Sequence, residues 1–97
     1  VDARDSNEGT ALMYSALYGY VEMVTGLADR GADINASDKD RSTPLMFAAA
    51  GGHAPVVSAL LDRGADIEAK DTTGETALSL AEAGEHVEVM GILRERV

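Results

Sequence analysis

The chain has 97 residues and a net charge of −9, from 17 acidic and 8 basic side chains. This length suits one modest domain, and without cysteine there is neither a disulfide nor a thiolate metal site. Acidity without a Lys or Arg run argues against a nucleic-acid partner, because phosphates would be repelled. No apolar stretch reaches about 18 residues, and the N-terminus lacks signal-peptide features. We therefore expect no membrane partner and an intracellular location, cytoplasmic or nuclear.

The sequence repeats at an interval of 33 residues. DRGADINA at 29–36 returns as DRGADIEA at 62–69, and residues 5–37 match residues 38–70 at 15 positions. Residues 38–64 match 71–97 at 10 positions in the same register. A period of this length indicates stacked supersecondary units. The predicted single domain, 1–97, therefore divides into the end of a preceding repeat (1–4), a first unit (5–37), a second unit (38–70) and a C-terminal capping unit (71–97), here called the third unit.

The first helix of each unit is predicted to begin after a threonine, whose hydroxyl accepts a backbone N–H of the first turn. Pro44 follows at the first helical position, where a missing N–H has no consequence. The helix runs for about nine residues and ends at Gly19 or Gly52, since glycine accepts a left-handed C-terminal cap. The capping threonines are Thr10, Thr43 and Thr76. The predicted inward-facing residues are Leu12, Ala16, Leu45, Ala48, Ala49, Leu78 and Ala81.

A second helix follows in each unit, because apolar residues again recur at helical spacing. Gly31 and Gly64 end this helix in the first two units. The next stretch, ADINASDKDRS at 32–42, is rich in Asn, Asp and Ser, which predicts a hairpin-like loop. The predicted core residues of the second helices are Val24, Leu27, Val57, Leu60, Leu61, Val89, Met90 and Leu93.

In several motifs the chain resembles the ankyrin repeat family. The motifs are T-A-L-M at 10–13, T-P-L-M at 43–46, T-A-L-S at 76–79, G-H at 52–53 and V-V-S-A-L-L-D-R-G-A-D-I at 56–67. The resemblance implies an all-α ankyrin repeat solenoid of stacked helix-turn-helix units with hairpin-like loops. It also implies a scaffold or adaptor role. Such a module would be non-catalytic, without a cofactor, and would bind another protein through its loop tips and the concave face of the first helices.

The chain departs from the family pattern at two places in the unit. Met13, Met46 and Ser79 stand where the family usually has a histidine, so the hydrogen bonds of that histidine between units should be missing. The family's loop-tip glycine is present as Gly74, whereas Glu8 and Arg41 hold the equivalent positions. We therefore expect irregular loop tips in the first two units.

The two ends of the array differ in polarity. Glu82 and Arg94 replace apolar residues of the earlier units, and a buried unpaired charge would be costly. This favours a polar capping helix, EVMGILRERV at 88–97. The first unit shows no such change, and VDAR at 1–4 aligns with the end of a unit. We expect the C-terminal piece of a longer array, with an apolar N-terminal face that leaves the chain a monomer or weakly self-associating.

No residue set indicates catalysis or metal binding. His53 and His86 are 33 residues apart, so they are copies of one structural role, and no carboxylate lies at ligand spacing from both. The Ser and Thr residues lie at caps and loops, where backbone bonding explains them. We predict that the chain is not an enzyme.

The resemblance places the partner-binding residues at the loop tips and on the exposed end of the first helices. Leu17 and Tyr18 are large, whereas the second unit offers Ala50 and Gly51 there, which predicts a hollow for a partner side chain. Alternatively, Leu17 and Tyr18 cover the core or a preceding unit. The alternative function is a structural spacer, or an ankyrin array engineered or truncated for binding or folding studies. The predicted binding residues are Arg4, Ser6, Asn7, Leu17, Tyr18, Ser37, Lys39, Asp40, Ser42, Lys70, Thr72, Thr73 and Glu75.

Overall fold

The computed structural model describes residues 2–96. Val1, in the predicted end of a preceding repeat, and Val97, at the end of the predicted cap, lie outside the described residues. Within them the chain is all-α, with no strand, and none of its helices is long and apolar enough to cross a membrane. The helices are α1 (Ala11–Tyr18), α2 (Val21–Asp29), α3 (Pro44–Ala50), α4 (Ala54–Asp62), α5 (Ala77–Ala83) and α6 (Val87–Glu95).

A threonine caps the first helix of every unit, as the sequence predicts. The Oγ1 atoms of Thr10 and Thr43 accept hydrogen bonds from the amides of Met13 and Met46 at 3.4 Å and 3.3 Å. Thr76 accepts from the Ser79 amide at 3.1 Å. The Ser79 hydroxyl in turn accepts from the Thr76 amide at 2.7 Å, which completes a capping box. These caps satisfy N–H groups that the helix itself leaves unpaired.

The helices form two layers with the core between them. One layer contains α1, α3 and α5, the other contains α2, α4 and α6, and each helix packs on its own partner and on the equivalent helix of a neighbouring unit. Small residues such as Ala16 and Ala49 are fully buried, which lets neighbouring first helices approach closely. The predicted second-helix core residues Val24, Val57, Leu60, Val89 and Leu93 are fully buried, and Leu27, Leu61 and Met90 are half-buried.

The first unit exposes an apolar face that later units bury. Met23 is 54% exposed, whereas the equivalent Val56 and Val89 are 1% and 0% exposed. The predicted apolar N-terminal face is therefore exposed at Met23, and association through it stays a prediction.

The third unit ends in a charged outer side. Arg94 Nη2 donates to Glu82 Oε2 at 3.0 Å, and both side chains are about half exposed. On the opposite side of the same unit, Val89 and Leu93 are fully buried. α6 is thus apolar toward α4 and polar on its outer side, the arrangement that we propose serves as a cap.

The loop tips are regular, and the expectation of irregular tips in the first two units is wrong. Glu8, Arg41 and Gly74 adopt the same left-handed conformation, with φ of 63°, 65° and 82°. In each tip this residue's amide donates to the carbonyl of the aspartate three positions earlier, at 2.9–3.0 Å. The aspartate's Oδ1 accepts two further amides of the tip, as in Asx turns. These bonds hold the conformation where glycine is missing.

Candidate partner-binding groove

We call the surface between the exposed sides of the first helices and the loop tips the groove; it is concave between the first two units. The sequences of α1, α3 and α5 contain one charged side chain, Glu82, which lies toward the end of the array. The helix surface of the groove is therefore nearly uncharged, and most of the charges beside it come from the loop tips.

The predicted binding residues lie where a partner could reach most of them. Leu17, Ser42 and Glu75 are half-buried. The exposed ones are Arg4, Ser6, Asn7, Tyr18, Ser37, Lys39, Asp40, Lys70, Thr72 and Thr73. Their role in binding remains a prediction.

Neighbouring loop tips are tied together by backbone hydrogen bonds. The Lys39 amide donates to the Asn7 carbonyl at 3.1 Å, and the Thr72 amide donates to the Asp40 carbonyl at 3.0 Å. Arg4 Nη1 also donates to the carbonyls of Glu8 and Ser37, each at 2.8 Å. The tips are thereby fixed relative to one another, and the Arg4 guanidinium is already engaged within the chain.

The histidines join consecutive units, which is one structural role repeated. His53 Nε2 lies 2.8 Å from the Leu17 carbonyl oxygen, and His86 Nε2 lies 3.0 Å from that of Ala50. Each ring therefore bonds a carbonyl at the end of the preceding unit's first helix, where the helix leaves it unpaired. Hydrogen bonds between units thus exist, although Met13, Met46 and Ser79 replace the family's usual histidine.

The predicted hollow beside Gly51 is not free. A Cβ at Gly51 would lie 2.6 Å from the Nε2 and Cδ2 atoms of the His53 ring, and one at Gly84 would lie 2.5 Å from His86 Nε2. The small residues make room for the chain's own histidines and not for a partner. The prediction of a hollow is wrong because the ring that fills the space belongs to His53, which follows the end of α3. In the first unit Tyr18 packs instead on Tyr20, with ring centroids 5.9 Å apart.

A cavity of about 200 Å³ lies between the first two loop tips and α1 and α3. Asn7, Leu17 and Asp40 are among the predicted binding residues and line this cavity, whereas several other lining residues were missed. A usable signal existed, because Tyr14 precedes Leu17 and Tyr18 by three and four positions and so shares their helix face. The missed lining residues are Met13, Tyr14, Asp38 and Phe47.

The loop aspartates of the first two units, Asp5 and Asp38, differ in the hydrogen bonds that they accept. The Tyr14 hydroxyl donates to Asp5 Oδ2, and this bond lowers the pKa of the Asp5 carboxyl while raising the pKa of the Tyr14 phenol. The equivalent of Tyr14 in the second unit is Phe47, which has no hydroxyl. Asp38 Oδ1 accepts the amides of Asp40 and Ser42, both at 2.9 Å, and its Oδ2 accepts no hydrogen bond from residues 2–96.

The third tip resembles the first two in its backbone but not in its side chains. The Thr73 hydroxyl donates to Asp71 Oδ1 at 2.7 Å, and this bond is the largest cause of the lowered pKa of the Asp71 carboxyl. Leu80 stands in place of the aromatic residue. In the part of the chain that the structure describes, no group of three or more His, Asp or Glu side chains is placed to hold a metal ion.

Comparison with protein families agrees with this architecture. A model described as "Ankyrin repeats (many copies)" matches residues 27–81, more than half of the chain, and a model described as "Ankyrin repeat" matches residues 7–39. Comparison with curated proteins gives no match. The stacked helix pairs, the threonine caps and these matches agree, and the chain belongs to the ankyrin repeat family, whose members are generally protein–protein interaction modules.

Proposed function

We propose that this chain is a non-catalytic interaction module that binds another protein in the groove between its loop tips and its first helices. One observation above all supports the proposal: the groove combines exposed aromatic surface with a cavity between the first two tips. Tyr18 is 59% exposed and Tyr14 is 44% exposed. Tyrosine is enriched among the residues that dominate binding energy at protein interfaces.

The hydrogen bonds that fix the loop tips also support a role in binding a partner protein. Backbone bonds at 3.1 Å and 3.0 Å connect successive tips, and every tip is closed by its own aspartate. A surface that is already ordered loses little conformational freedom when a partner binds. The tips can therefore present different side chains, such as Lys39 and Thr72, from one fixed backbone.

The test compares partner capture by the wild type and two variants of equal charge. The groove variant combines Tyr18→Glu with Lys39→Glu, which alters one exposed residue of α1 and one of the second tip. The control variant combines Val87→Glu with Arg30→Glu on the second-helix side; Val87 is 76% exposed and Arg30 is exposed. Both variants change the net charge by the same amount, and circular dichroism must first show that both are folded.

The immobilised proteins are incubated with cell lysate, and retained proteins are quantified by mass spectrometry. We expect at least one protein that the wild type and the control variant retain equally and that the groove variant loses. Loss in both variants would show only a charge effect, which would contradict a groove site. Equal retention by all three would also reject the groove and would favour a structural spacer.

A further inference from the structure

We propose that the cavity between the first two loop tips receives an arginine side chain from a basic segment of the partner. This inference rests on the proposed function and names the chemistry of the partner for the same groove. The cavity is defined by Tyr14 and Phe47 on the helices and by Asp38 and Asp40 on the second tip. We call it the arginine pocket.

The size of the arginine pocket suits one side chain. Its volume is about 200 Å³, whereas sites for small-molecule ligands usually span about 300–1,000 Å³. Its helix side is apolar and consists of Met13, Tyr14, Leu17 and Phe47. A long side chain with an aliphatic stem can cover such a surface while its charged end stays at the rim.

The rim of the arginine pocket is negative. Asp38 and Asp40 line it, and no Lys or Arg side chain is among its lining residues. A cation entering the pocket therefore meets two carboxylates beside aromatic rings, which attract it further through their π-faces.

The replacement of tyrosine by phenylalanine leaves a carboxylate oxygen available. In the first unit the Tyr14 hydroxyl occupies Asp5 Oδ2. In the second unit Phe47 cannot do this, and Asp38 Oδ2 accepts no hydrogen bond from any residue between 2 and 96, although Oδ1 is fully used in the turn. The oxygen that a partner could use thus belongs to an aspartate that lines the same cavity as Phe47.

Arginine fits this arrangement better than lysine. Its guanidinium is planar, stacks on aromatic faces and offers several N–H donors in a fixed fork. In the proposed complex one guanidinium stacks on the ring of Phe47 or Tyr14 and donates to a carboxylate of Asp38 or Asp40, which line the same cavity. A lysine ammonium is a strongly hydrated point charge and loses more hydration on entering an apolar pocket.

The test uses a phage library of random twelve-residue peptides, selected in parallel on the wild type, Asp38→Asn and Asp71→Asn. Asp38→Asn removes the charge but keeps an Oδ1 acceptor for the two amides of the turn. Asp71→Asn makes the same change in the third tip, where Leu80 replaces the aromatic residue. Thermal unfolding must show that both variants remain folded. The best peptides are then synthesised with each arginine replaced singly by citrulline, the uncharged isostere.

We expect peptides enriched in arginine from the wild type and from Asp71→Asn, but not from Asp38→Asn. For a selected peptide, Asp38→Asn and one citrulline substitution should each weaken binding about fivefold, the upper end for an exposed ion pair. The two changes together should weaken it no further than either alone. Raising the salt concentration should reduce the affinity of the wild type as well.

Two results would overturn the inference in distinguishable ways. Peptides that bind the wild type, whose affinity changes in Tyr18→Glu/Lys39→Glu but not in Val87→Glu/Arg30→Glu, and that carry no arginine preference would reject the arginine pocket and leave the groove function intact. Peptides whose binding is unaffected by the groove variant, or a selection without any binder, would reject the groove function together with the pocket.

Discussion

The contact between His86 and Gly84 gives a quantitative prediction for the interface between the second and third units. Gly84 has φ of −86°, which any residue adopts, so alanine there causes no backbone strain. The Cβ atom of an alanine at this position would however lie 2.5 Å from His86 Nε2 and 2.7 Å from His86 Cδ2. The ring must move, and its hydrogen bond to the Ala50 carbonyl, 3.0 Å long, is lost.

The expected change in unfolding free energy follows from the interactions that the His86 ring makes. One hydrogen bond and its packing contacts are together worth about 1.5 kcal/mol of unfolding free energy. Alanine in place of glycine restricts the unfolded chain and returns about 0.5 kcal/mol. We therefore expect Gly84→Ala to destabilise by about 1 kcal/mol. In a His86→Ala background the clash is absent, and Gly84→Ala should stabilise by about 0.5 kcal/mol.

The assay is urea unfolding of the wild type, both single variants and the double variant. The expected coupling energy is about 1.5 kcal/mol, well above the scatter of about 0.5 kcal/mol for independent sites. Gly91→Ala serves as the control, because among residues 2–96 no atom apart from its chain neighbours and the nearby backbone of α6 lies within 4 Å of its added Cβ, and it should stabilise by up to about 1 kcal/mol. Additive effects of Gly84→Ala and His86→Ala would refute the proposed packing of the ring on the glycine.

Tyr14→Phe should reduce stability near neutral pH, because it removes the hydroxyl that lowers the pKa of Asp5. In urea unfolding at several pH values, the difference should disappear as pH falls through the lowered Asp5 pKa and as it rises through the raised Tyr14 pKa; a constant difference would contradict this. Arg41→Gly should raise the melting temperature, since φ is 65° and glycine removes a cost of about 1 kcal/mol; a lower melting temperature would contradict it. Val56→Ala should lower the unfolding free energy by about 2 kcal/mol and Met23→Ala by less than about 1 kcal/mol, since only Val56 is buried. Equal losses of unfolding free energy in the two variants would show that Met23 is buried against another surface in solution. Met23→Glu should abolish any concentration-dependent association in analytical ultracentrifugation, and persistence of the association would place it elsewhere.

Local features of the fold could be predicted from the sequence. Thr43 and Pro44 indicate the start of α3, and both predicted roles are found. The buried positions of α1 and α4, such as Leu12 and Leu60, follow from helical spacing. These predictions succeed because a cap and a helix face depend on residues three or four positions apart, whose geometry is nearly the same in any protein.

The loop tips show where a rule about single residues failed. Arg41 stands in place of a glycine, and the sequence therefore predicted an irregular tip. The tip is regular because Asp38 accepts the amides of Asp40 and Ser42 and its carbonyl accepts that of Arg41. Four bonds, counting that between the Asp38 amide and the Ser42 carbonyl, together outweigh a left-handed cost of about 1–2 kcal/mol for one residue.

The candidate site depended on contacts that no local pattern contains. The sequence by itself determined the repeat, the helices and the apolar helix faces, because these arise from short-range spacing repeated every 33 residues. Only the tertiary structure decided that His53 fills the space above Gly51 and that the cavity opens beside Phe47 instead. It also decided that Met23 is exposed where Val56 is buried, since burial at equivalent positions depends on whether a neighbouring unit covers them.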